Sequence, residues 1–172
     1  MLHQGKTRSA GRPSASRESG FSLIELLIVV AIILIIAAIA IPNLLKAKVA
    51  ANESSAVSSI RTYSTGFVTY NALCPGIGYP TLLSDLGPGT GQCIGGAAIV
   101  DPILGAANPV KAGYTFTYLA TAGNDGINIQ YTLNANPISL GVTGNRGFYS
   151  DNSGTIRYAI GAAASIASSP LQ

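Results

Sequence analysis

Residues Leu26 to Ile41 contain no polar side chain, and this run constrains the chain more than any other feature. It extends back to Phe21, interrupted only by Ser22 and Glu25. A helix rising ~1.5 Å per residue through this stretch crosses a hydrocarbon core of roughly 30 Å. The run is longer than the apolar core of an ordinary secretory signal, and no A-x-A-like cleavage site follows it. An uncleaved signal anchor remains an alternative on these features alone.

Charge orients the segment. The chain carries a formal net charge of +3. Lys6, Arg8, Arg12 and Arg17 against Glu18 supply all of it within the first twenty residues. Beyond them, Lys46, Lys48, Arg61, Lys111, Arg146 and Arg157 are matched by Glu25, Glu53, Asp85, Asp101, Asp125 and Asp151. A basic flank before an apolar span stays in the cytoplasm, so the body is expected outside. The neutral body has no basic stripe, and direct nucleic-acid binding is not indicated. Residues 1–20, basic and small without apolar periodicity, are expected to be disordered.

After Pro42 the pattern changes. Ala56, Ile60, Tyr63, Phe67 and Tyr70 recur at steps of four, three, four and three, which is one face of an α-helix. Glu53, Ser55, Ser58, Ser59 and Thr62 are assigned to the opposite, polar side. The reading is one long helix from about residue 22 to about 72, kinked or locally unwound at Pro42. Residues 74–112 are rich in Gly and Pro and read as irregular, with room for short helical or strand pieces. From Gly113 the chain reads as β. GYTFTYLA and INIQYTL flank the turn AGNDG, and RGFYS and TIRYAI flank DNSG. The fold class is therefore α+β: a long N-terminal helix whose second half is covered by a small antiparallel sheet of about four strands. The tail AAASIASSPLQ is expected to fray.

Catalysis finds little support. The only histidine is His3, and no triad, metal or phosphate-loop motif organises the remaining polar residues. The chain is read as a non-enzyme with no cofactor and no metal. The turns AGNDG and SDNSG offer one carboxylate each, which is thin for calcium, a cation that takes six to eight oxygens. They read as plain hairpin turns. Tyr63, Phe67 and Tyr70 read as core residues and not as a path for electrons. Cys74 and Cys93 lack the neighbours that a zinc site needs. In an oxidising compartment they are expected to bridge, stapling the helix end to the loop; two separate thiols are the alternative.

The stretch GFSLIELLIVVAIILIIAAIAIPNLL, Gly20 to Leu45, closely resembles the N-terminus of type IV prepilins, of the type IVa kind. The fragments GYTFTYLA, YTLNANP and TGNRGFYSDNSGTIRYA are similar, more weakly, to the C-terminal part of pilins. The resemblance implies a cleaved leader (1–20), a transmembrane and assembly helix (21–42), and an amphipathic continuation with a globular pilin-like domain (43–172). It implies that a membrane prepilin peptidase cuts between Gly20 and Phe21, and that the same enzyme class methylates the amine of Phe21. Glu25 then attracts that amine on an adjacent subunit, and Pro42 falls where many pilins kink. Small residues Ala31, Ala37, Ala38 and Ala40 permit close helix approach.

The implied product is a homo-oligomeric helical filament. It is exported through an inner-membrane platform with a cytoplasmic ATPase, held first in membrane lipid and then at the cell surface. Adhesion, twitching motility and DNA uptake are the roles of such filaments. Two alternatives accompany this reading. One is a pseudopilin of a type II secretion system. The other is an uncleaved bitopic membrane protein with a small binding domain, for which the long leader is the best argument.

Overall fold

The computed structural model describes residues 20–171; the leader before Gly20, with its expected disorder and His3, falls outside them. One helix, α1, runs from Leu23 to Leu73. Ser22 and Glu25 stand three apart at its start, as a capping box requires, and the Ser22 N–H donates to Glu25 Oε2 at 2.9 Å. Helical assignment is unbroken through Pro42. The expected local loss of helix at Pro42 is therefore not observed in the single chain, although proline still removes one hydrogen-bond donor there. The chain divides into two compact units between Ala40 and Ile41.

The first unit, in its described part, is the apolar helix. It contains the window of α1 with mean hydropathy 3.3, none of it buried.

In the second unit, α1 is studded with Ser and Thr, which ordinarily compete with helical hydrogen bonding. Here several hydroxyls donate back to the carbonyl four residues earlier: Ser59 to Ser55, Thr62 to Ser58, Ser64 to Ile60, Thr65 to Arg61 and Thr69 to Thr65. The predicted stripe is the core. Ala56, Ile60, Tyr63 and Phe67 have no exposed surface and Tyr70 has 1%.

A single antiparallel sheet covers the stripe. Its strands are β1 (Val110–Lys111), β2 (Tyr114–Ala122), β3 (Asn128–Pro137), β4 (Arg146–Asp151), β5 (Arg157–Ile160) and β6 (Ser169–Pro170), in sequential order. Six strands replace the four expected because β1 and β6 are two-residue edges, too short to show alternation. Strands this short also limit edge-to-edge association. The inward side chains Phe116, Tyr131, Leu133 and Phe148 are buried. Aromatic contacts join helix to sheet: Tyr63 to Phe116 with ring centres 5.5 Å apart, and Phe67 to Tyr131 at 4.5 Å.

The tail does not fray as expected. Leu171 N–H donates to Ile156 O, Arg157 Nη1 donates to Ser168 O, and Ala164 is buried. Both predicted turns form. Asp125 Oδ1 accepts from Ile127 N–H, and Asp151 Oδ1 accepts from Ser153 N–H, so each carboxylate closes its own turn.

The Gly/Pro-rich segment between α1 and β1 is ordered by tyrosines that lie elsewhere. Tyr63 Oη donates to Leu104 O, Tyr70 Oη to Cys93 O, and Tyr118 Oη to Pro80 O. Leu83 and Leu86, on a single 3-10 turn, plug into the core. Gly78, at φ +80°, lies so close to Asn128 O that any Cβ would collide with it.

Candidate assembly segment

Gly20 and Phe21 precede the first helical residue, and Phe21 is 88% exposed. Glu25 sits in the first turn, where the partial positive charge of the helix N-terminus favours a carboxylate. Its Oε2 takes the Ser22 N–H. A carboxylate has about four acceptor positions, so this bond leaves capacity for a cationic donor. Gly20 and Phe21 thus lie just before the first turn of α1, which carries Glu25. Pro42 lies within α1 itself.

Cys74 and Cys93 form a disulfide with Cα atoms 5.7 Å apart. The bridge ties the end of α1 to the loop at the point where Tyr70 Oη also holds the Cys93 carbonyl. Burial, with a smaller contribution from Asp85, raises the Tyr70 pKa, so its hydroxyl stays a donor at any physiological pH.

Sequence reasoning misassigned Glu53 and Ser59. Both are buried, at 6% and 3% exposure. Glu53 stands three residues before Ala56 and continues the buried stripe by the same helical step. Its Oε1 accepts from Asn145 N–H at 2.8 Å and Arg146 N–H at 3.2 Å, and its Oε2 accepts from Arg146 Nε at 2.7 Å. The Arg146 guanidinium lies over the rings of Phe148 and Tyr158, at 5.6 and 5.5 Å from their centres. One acid therefore fastens the start of β4 to α1. Its signal was the spacing, masked by its charge.

Residues 15–41 match the prokaryotic N-terminal methylation motif. The chain is also similar to the type IV major pilin protein PilA of Myxococcus xanthus (strain DK1622), 51% identical over 49 residues. That match covers 28% of this chain and 22% of the relative, so it spans under a quarter of the relative's length. No solved structure matches the chain. The motif, the similarity and the Gly20–Phe21–Glu25 order agree: the N-terminal segment of this chain is similar to that of type IV prepilins.

Proposed function

We propose that the chain is the structural subunit of a bacterial type IV pilus, cut between Gly20 and Phe21 and polymerised through its apolar helix. The observation that carries this reading is the GFSLIE junction opening directly into the first part of α1, residues 23–41, in which no apolar residue is buried. A cut at that junction frees an amine on Phe21 and leaves the whole helix on the mature chain. Methylation keeps that amine basic. Before assembly the helix is at home in the inner membrane; in a filament it is covered by copies of itself. In that low-dielectric bundle, Glu25 and the Phe21 amine of a neighbour pair and fix the axial register more than they add stability. The prepilin peptidase, the inner-membrane platform and its ATPase are the partners this route requires. The role is structural, with no reaction of its own.

Two variants test it. Glu25→Ala removes both the charge and the cap on Ser22, whereas Glu25→Gln keeps an acceptor for Ser22 N–H and removes only the charge. Both are expected to be cleaved, to accumulate in the membrane, and to yield few surface fibres. Normal fibre yield from Glu25→Gln would reduce Glu25 to a helix cap and refute the pairing.

A further inference from the structure

The loop between β3 and β4, Ile138 to Asn145, carries no charged side chain. It presents Ile138, Leu140 and Val142 to solvent, at 57%, 55% and 67% exposure. Most of its backbone donors are already satisfied. The Gly141 N–H donates to Gly144 O, those of Val142 and Thr143 donate to Ser139 O, and the Ser139 N–H donates to Thr143 Oγ1. The Ile138 N–H donates to Gly113 O, and the Asn145 N–H to Glu53 Oε1. A loop bonded in this way can leave water without orphaning these donors, which is what an apolar surrounding demands. It is also held in place, because Asn52 Nδ2 donates to Thr143 O at 2.9 Å. A surface fixed in advance loses little entropy on docking.

The loop stands beside the turns of α1 that follow the apolar run. Leu45, Lys46 and Val49 lie across from Val142, and between them is an open cleft of about 330 Å³. Leu44 and Leu45 are 69% and 59% exposed, and Lys46 and Lys48 are exposed as well. Glu53, the acid lining the cleft, is already engaged by Arg146. Leu45 follows Ile41, the last residue of the apolar run, by four positions. The helical rise over that interval is ~6 Å. The headgroup layer on each side of a bilayer is roughly 5–8 Å deep.

We propose that this loop and cleft are a second membrane contact, taking phospholipid of the leaflet on the body's side. Acyl chains lie against Leu45, Leu140 and Val142, and Lys46 and Lys48 reach the phosphates along their apolar stems. The inference rests on the reading of the apolar run as a membrane span and adds to it a seat that fixes how the body lies on the bilayer. Three observations select lipid as the occupant: the depth of Leu45, the uncharged loop with its bonded backbone, and two lysines beside exposed leucines.

The chain contains no tryptophan, so a single introduced one reports its own surroundings. The full chain is placed at one copy per nanodisc, which keeps other copies away. The discs are made of phosphatidylcholine and phosphatidylglycerol, with acyl chains either plain or brominated, since bromine quenches tryptophan on contact. Three variants are compared: Val142→Trp in the loop, Leu27→Trp within the apolar run, and Ile94→Trp. Ile94 is 81% exposed and lies next to Cys93 of the disulfide, at the far end of α1. The expected result is that Leu27→Trp and Val142→Trp lose most of their emission in brominated lipid, while Ile94→Trp keeps its own. Adding Ile138→Asp/Leu140→Asp to Val142→Trp should restore the emission without lowering the melting temperature. Quenching of Leu27→Trp with none of Val142→Trp would overturn the proposal, leave the membrane span standing and assign the cleft to a protein partner. Equal quenching of Val142→Trp and Ile94→Trp would also overturn it, because the contact would then not belong to this loop. No quenching of Leu27→Trp would bring down both the seat and the span.

Discussion

Replacing Glu53 by alanine should destabilise the body by ~3 kcal/mol. The carboxylate is 7% exposed and makes three hydrogen bonds, one of them to a guanidinium. Breaking a buried ion pair from one side costs about 3–5 kcal/mol. Arg146 is 35% exposed and can regain water, which places the estimate at the low end. Against a domain stability of about 5–15 kcal/mol this is a large fraction. Glu53→Gln keeps an acceptor for Asn145 and Arg146 N–H and should cost about 1 kcal/mol. A Glu53→Met/Arg146→Met double variant removes both charges and should recover most of the loss. The assay is urea denaturation of the full chain in detergent, followed by near-ultraviolet circular dichroism. The chain has eight tyrosines and no tryptophan, and the first tyrosine is Tyr63, so the signal reports the body alone. A Glu53→Ala variant within ~0.5 kcal/mol of the parent, inside the range of ordinary surface substitutions, would refute the reasoning.

Two further predictions concern the same body. Reduction of Cys74–Cys93, or Cys93→Ser, should lower stability by about 3 kcal/mol for a loop of this size, without changing cleavage of the leader; equal denaturation midpoints with and without reductant would contradict it. Acidification should destabilise the fold through Asp101 and Asp151. The Leu104 N–H, with Lys111 and the Ile103 N–H, holds Asp101 below the usual carboxylate range against the opposing effect of burial. Burial alone would raise Asp151, but Ser153, the Tyr149 hydroxyl and Arg157 outweigh it and leave that carboxyl lowered as well. A folded state with depressed pKa values binds fewer protons than the unfolded chain. The stabilisation is therefore complete above the ordinary value of about 3.9 and is lost as pH falls below it. The melting temperature should drop on acidification below about pH 4, and an Asp101→Asn/Asp151→Asn variant should flatten that drop; an unchanged slope would contradict the assignment.

The sequence was legible where order is local. The stripe from Ala56 to Tyr70 could be read because each member follows the helical step and is apolar. The two hairpin turns could be read because Asp125 and Asp151 satisfy the backbone within two residues of themselves. Glu53 has the same helical step, but its charge pointed to solvent, and its partner Arg146 lies 93 residues away. The segment between α1 and β1 looked irregular because its order comes from Tyr63, Tyr70 and Tyr118 hydroxyls on distant elements. The edges β1 and β6 were invisible because two residues carry no alternation. Within the candidate site, Gly20, Phe21 and Glu25 were singled out by the resemblance of GFSLIE to the prepilin junction. The capping bond from Ser22 to Glu25 adds a local use of that acid which the apolar context had obscured.

The central claim is that this chain is cut at Gly20–Phe21 and built into a surface fibre, and the intact mass of the protein in fibres sheared from cells tests it most directly. The account predicts a mass equal to residues 21–172 plus one methyl group and less two hydrogens for the disulfide. A full-length mass found only in the membranes of a host that processes prepilins would contradict it.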